Sequence, residues 1–146
     1  MKSENIAELM KKSEYSEKAI QYFIEKINVD CMKEPDVYFS YTGPCGDTLE
    51  IYLKIKENKI EDAKFQATGC AGAFVSGSAL CNLIKDKTLE EAEEIKIEDI
   101  ITYLNGLPKA KIHCACLAKT TLEKAIQKYK EDKINNIVTK TEGISR

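Results

Sequence analysis

Between Asp30 and Thr68 the chain switches to a two-residue period. Leu49, Ile51, Leu53 and Ile55 alternate with Glu50, Tyr52, Lys54 and Lys56, the pattern of a strand with one buried face. Val37, Phe39 and Tyr41 repeat it more weakly before, and Ala63, Phe65 and Ala67 after the polar turn Glu57-Asn58-Lys59. Three antiparallel strands follow, joined as a meander. Elsewhere the period is helical. Ile20, Phe23, Ile24 and Ile27 define an amphipathic helix within Tyr15 to Ile27, and Ala73 to Ile84 is an apolar run with Ser76, Gly77 and Ser78 inside it. Thr88 with Glu91 three residues on has the capping-box spacing that opens a helix. Ile97, Ile100, Ile101 and Leu104 make a short helix stopped by Gly106 and Pro108, and Leu117, Ala118, Leu122, Ala125, Ile126 and Tyr129 mark a long last one. The pattern predicts an α+β fold: a small three-stranded antiparallel sheet packed against several helices on one face. Residues 1–146 read as a single domain, with a weakly ordered N-terminal segment over 1–14 and a polar, fraying C-terminal tail over 134–146.

Composition narrows the function. With 22 Lys and Arg against 24 Asp and Glu there is no basic field to capture nucleic acid. No stretch approaches the ~20 apolar residues of a membrane span, and the N-terminus lacks the apolar run of a secretion signal, so the expected location is the cytosol. Six cysteines in a reducing compartment point to metal or thiol chemistry, and the absence of a Cys-x-x-Cys pair weighs against thioredoxin-like redox work and zinc knuckles.

Three of the six fall at element ends. Cys45 lies in the turn Thr42-Gly43-Pro44-Cys45-Gly46-Asp47, Cys70 where the third strand gives way to a helix, and Cys114, after His113, at the start of the last helix. In a meander these ends can gather at one end of the sheet. Flanking glycines leave room for a metal at Cys45 and Cys70, and a helix N-terminus lowers the pKa of a thiol such as Cys70 or Cys114. Asp47 adds a hard oxygen ligand and His113 an imidazole. Cys81, inside an apolar helix, reads as a small core residue, and Cys31 as incidental.

Cys45-Gly46-Asp47, Phe65 with Thr68-Gly69-Cys70, Ser76 and Ser78, Lys87-Thr88 with Glu91-Ala92, and Lys111-Ile112-His113-Cys114 with Leu117-Ala118 resemble the NifU/IscU family of iron–sulfur assembly scaffolds, from about Tyr15 to Tyr129. The resemblance implies the fold of the NifU N-terminal domain and a non-enzymatic scaffold for a transient 2Fe-2S cluster. Cys45, Cys70 and Cys114, with Asp47 and His113, would hold the cluster, or a zinc or iron ion in its absence, and Cys114 would accept persulfide sulfur. Implied partners are a cysteine desulfurase, apo iron–sulfur acceptor proteins, and a ferredoxin or a chaperone. The stretch Leu107-Pro108-Lys109-Ala110-Lys111 departs from the family's chaperone-recognition motif, and Glu25-Lys26-Ile27-Asn28 from its Asn-Pro-Arg-Asn segment. A zinc-bound, SufU-like persulfide acceptor is the alternative, against which His113 counts because that branch usually has Arg there. A thiol–disulfide oxidoreductase using Cys114 and Cys116 is a more distant one. Cys116 lies about 200° around the helix from Cys114 and is expected to face away from the site.

Overall fold

The computed structural model describes residues 3–145, with side chains over residues 4–137. The elements run α1 (Ser3–Lys12), α2 (Glu17–Ile24), β1 (Val37–Thr42), β2 (Thr48–Lys56), β3 (Lys59–Thr68), α3 (Ala71–Ile84), α4 (Leu89–Glu93), α5 (Ile97–Tyr103), a 3-10 turn (Lys109–Lys111) and α6 (Ile112–Ser145). The strands form one antiparallel sheet in the order β1-β2-β3. Phe39 pairs with Ile51 and Ile51 with Phe65; Leu53 pairs with Ala63. That register puts Leu49, Ile51, Leu53, Ala63 and Phe65 on one fully buried face. Glu57 and Asn58 both have positive φ, 51° and 65°, so β2 and β3 join through a two-residue hairpin turn whose twist matches the strands.

Helices α3 and α6 cover the buried face, α3 against β3 and α6 against β1 and β2. α3 is apolar nearly all round because it is enclosed on several sides, by β3, α2, α5 and α6, and Gly77 lets the Phe65 ring lie against its backbone. α6 buries Cys114, Ala115, Leu117, Ala118, Thr121, Leu122, Ala125 and Ile126, two or three residues per turn. The capping box at Thr88 forms, with the Thr88 hydroxyl accepting from the Glu91 N–H at 3.1 Å and the Glu91 carboxylate accepting from the Thr88 N–H at 2.9 Å.

Both chain ends are helical over their described residues. The segment over 1–14, expected to be weakly ordered, holds a ten-residue helix, α1, which buries Met10 and packs Ile6 and Ala7 against the core. The last helix does not end near Lys133. α6 continues to Ser145, exposed from Lys130 through Ile137, and neither Gly nor Pro occurs between Ile112 and Glu142 to break it. Residues 1, 2 and 146 of these two segments lie outside the described residues. Among the described residues no helix is long and apolar enough to cross a membrane.

Candidate metal centre

The ends of three elements meet beside the open edge of the β1–β2 turn. That turn is tied by hydrogen bonds from the Gly43 N–H to the Asp47 carbonyl (2.9 Å) and from the Gly46 N–H to the Gly43 carbonyl (3.0 Å), and Gly46 takes a φ of +89°. It aims the Asp47 carboxylate across to the end of β3, where Gly69 has a φ of +140°. A side chain on Gly69 would collide with that carboxyl group, its Cβ falling 2.5 Å from the Asp47 Cγ. Cys70 follows as the N-cap residue of α3, and its thiol donates to the Asp47 Oδ2 at 3.2 Å. Its sulfur also lies 3.5 Å from that of Cys114, which in turn is 3.5 Å from the His113 Nε2. Ligand atoms of Asp47, His113 and Cys114 all fall within 4.8 Å of one another. Of the residues named from sequence, the fold therefore gathers Asp47, Cys70, His113 and Cys114 tightly: two soft sulfurs, one hard oxygen and one imidazole, a donor set that suits zinc or iron.

Cys45 is placed differently. It is exposed at the tip of the turn and lines a pocket of about 320 Å³ between that turn and the first turns of α6, together with Asp47, His113 and Cys116. Cys116 points away from the Cys70–Cys114 pair, as the helical angle demands, but it faces this pocket rather than leaving the site, because the β1–β2 turn folds over that side of α6. Cys31 is exposed and apart from these groups, and Cys81 is wholly buried within α3, where burial pushes its thiol up to about 12.

In the metal-free chain the pull of the helix N-terminus on the Cys114 thiol is opposed by burial. Its residue is fully buried, and burial first, then the hydrogen bond and negative potential of Cys70 and Asp47, push the thiol far above its ordinary range; only Lys111 acts the other way. The burial is built by Gly72. A Cβ there would stand 2.8 Å from the Cys114 sulfur and 3.2 Å from the Lys111 Cβ, so only glycine lets α3 close on the thiol.

Tyr15 was not singled out by sequence. It is buried ahead of α2, its hydroxyl has no hydrogen-bond partner, and burial, then Cys70, Cys114 and Asp47, raise its pKa. The Gly72 backbone acts in the opposite sense without completing a hydrogen bond to that hydroxyl. A tyrosine one residue before the Ser16 N-cap is the only signal the sequence carries for it.

Comparison with known proteins places this geometry. The chain is 42% identical over 82 residues to the iron-sulfur cluster assembly scaffold protein IscU 1 of Archaeoglobus fulgidus, covering 56% of this chain and 54% of that protein. It is 40% identical over 86 residues to IscU of Azotobacter vinelandii, covering 56% and 67%. The chain spans about half the length of the first of these relatives. Among solved structures, the N-terminal NifU-like protein of Brucella abortus superposes with a TM-score of 0.66 at 18% identity over 84% of this chain and 98% of that one, a likeness of fold. FiSufU of Fervidobacterium islandicum AW-1 superposes with a TM-score of 0.63 at 25% identity, over 77% and 96%. The family model described as the NifU-like N terminal domain matches residues 14–136, most of the 146, and the chain belongs to that family.

Proposed function

We propose that this protein is a scaffold on which a 2Fe-2S cluster is assembled and from which it is passed on, with Cys45, Cys70 and Cys114 as sulfur ligands and Asp47 and His113 completing the set. The observation that carries the reading is the convergence of Asp47, Cys70, His113 and Cys114 at one end of the sheet, with Cys45 on the adjoining turn. A permanent iron–sulfur protein holds its cluster by four thiolates. Here a carboxylate stands hydrogen-bonded to Cys70 within the ligand group, and an incoming thiol displaces it readily, which suits a cargo rather than a resident cofactor.

Sulfur arrives as a persulfide carried by a cysteine desulfurase. The Cys114 thiolate attacks the outer sulfur, the donor's S–S bond breaks, and the donor leaves as a thiolate. Because Cys114 is buried beneath Gly72 and Lys111, this step requires the 3-10 turn Lys109–Lys111 to move aside. Each sulfur then needs two electrons to become sulfide, the role of a ferredoxin partner, before the cluster moves to an apo acceptor protein. The six free thiols fit a reducing compartment, the cytosol. The chain needs no catalytic turnover of its own. A second reading, a zinc-bound, SufU-like sulfur-transfer protein, is favoured by a sulfur, nitrogen and oxygen donor set that equally suits zinc.

Anaerobic reconstitution with ferrous iron, cysteine and a desulfurase separates the two. The scaffold reading predicts visible sulfide-to-iron absorption in the wild type and none in Cys70→Ser or Cys114→Ser. Bound zinc that iron and sulfide fail to replace overturns it in favour of the second reading.

A further inference from the structure

Among the described residues, two buried side-chain oxygens have no hydrogen-bond partner, the hydroxyls of Tyr15 and Ser76. Both lie toward the place where α3 closes on Cys114. Ser76 follows Gly72 by four residues and so shares its face of α3. The Gly72 backbone acts on the Tyr15 hydroxyl, as do the charges of Cys70, Cys114 and Asp47. Tyr15 is only 7% exposed, and its place is fixed by its neighbours rather than by its hydroxyl. Its N–H donates to the Met10 carbonyl at 3.0 Å, and the adjoining Ser16 hydroxyl accepts from the Ala19 N–H and donates to the Leu104 carbonyl. Phenylalanine would fill the same space and leave no polar atom unpaired, whereas a buried hydroxyl without a partner lowers stability.

The hydroxyl therefore has no use in the metal-free fold, and its surroundings say where it gains one. In that fold the Cys70 thiol donates to Asp47 and the two sulfurs face each other. A thiol is a weak acceptor, but a thiolate or sulfide carries negative charge and takes a strong hydrogen bond. Burial keeps the phenol in its protonated, donating form. We propose that Tyr15 is a positioning residue for the sulfur centre: when Cys70 and Cys114 bind a metal or carry transferred sulfur, the Tyr15 hydroxyl donates a hydrogen bond to one of their sulfurs or to the sulfur they carry. The inference rests on the scaffold reading for what fills the site and adds a residue outside the ligand group that favours the loaded over the empty state. Such a bond withdraws charge from sulfur and fixes its direction, which strengthens binding and tunes the electronic properties of the centre.

Anaerobic titration of the reduced, metal-free chain with cobalt(II), reading affinity and the position of the thiolate-to-cobalt charge-transfer band, tests this with Tyr15→Phe. The variant is expected to resist urea at least as well as the wild type when metal-free, yet to bind cobalt about tenfold more weakly. Its band is expected at longer wavelength, because a sulfur relieved of a hydrogen bond gives up charge more readily. Tyr22→Phe is the reference: it loses the contacts of the Tyr22 hydroxyl with Tyr103 and Asn82, and is expected to lower stability while leaving affinity and band in place. Wild-type affinity and band position in Tyr15→Phe overturn the proposal, and so does loss of its metal-free fold, which would make the hydroxyl a structural one. The scaffold reading fails on a different result, a wild type without thiolate-to-cobalt absorption or an absorption that survives both Cys70→Ser and Cys114→Ser, and the role of Tyr15 then falls with it.

Discussion

Gly72→Ala adds one methyl group at the place where α3 closes on the Cys114 thiol. The new Cβ would stand 2.8 Å from the sulfur, against a comfortable separation of about 3.5–4.0 Å, so the two must part by roughly 1 Å. For stability the change is partly offset. Alanine gains up to about 1 kcal/mol over glycine in a helix, and overpacking costs about 1–3 kcal/mol, leaving a net loss of about 0–3 kcal/mol. For metal binding it is not offset, because ligand distances are held to about 0.2 Å and disturbing a ligand's support typically costs 10–100-fold in affinity. Gly77→Ala is the contrast: its Cβ would meet the Phe65 ring at 2.6 Å in the core, away from the sulfurs, so it should lower the melting temperature and leave affinity within about threefold. Competition for zinc against a chromophoric chelator, with thermal unfolding followed by circular dichroism, measures both quantities. Gly72→Ala binding zinc as tightly as the wild type, with the fold intact, would refute the claim that Gly72 sets the position of Cys114.

Tyr15→Phe should stabilise the metal-free chain by about 1 kcal/mol or more, since it removes a buried hydroxyl that has no partner; a loss of stability in urea unfolding would show that the hydroxyl is satisfied. Cys81 has its thiol raised from 9.0 to about 12 by burial, so the native state holds this proton more tightly than the unfolded chain. Its contribution is complete below pH 9 and is lost as pH rises toward 12. Cys81→Ala should therefore cost about 1 kcal/mol at neutral pH through a small cavity, yet lose less stability than the wild type above pH 9, the gap closing by about 1 kcal/mol per pH unit. Parallel slopes would contradict it. In the metal-free fold, iodoacetamide should label the exposed Cys31 and Cys45 at least about tenfold faster than the buried Cys81 and Cys114. Mass spectrometry of timed samples checks this, and equal rates at Cys45 and Cys114 would contradict the burial of the latter.

Much of this was legible because the residues that shape the site obey local rules. The alternation from Leu49 to Ile55 sets a single register, and glycines beside Cys45 and Cys70 mark the strand ends that a meander brings together. What the sequence hides is what lies across space. A helix start predicts an acidic thiol at Cys114, but only the fold reveals Gly72 and Cys70 against it and the burial that opposes the helix terminus. Helical geometry correctly turns Cys116 away from Cys114, yet cannot say that the β1–β2 turn waits on the other side. Past Lys133 the apolar periodicity ends while the helix runs on to Ser145, because a stretch without Gly or Pro up to Glu142 continues as a polar helix without a buried face to announce it.

The central claim is that the cluster is held to be given away, and Asp47 is where that is tested most directly. Its carboxylate accepts from the Cys70 thiol, so Asp47→Ala removes the proposed oxygen ligand that an acceptor's thiol would displace. Transfer from the anaerobically reconstituted protein to an apo-ferredoxin, followed by circular dichroism of the acceptor's cluster, gives the rate. The account predicts a cluster that persists longer on Asp47→Ala and moves more slowly, with the fold unchanged. Lifetime and transfer rate equal to those of the wild type would contradict it.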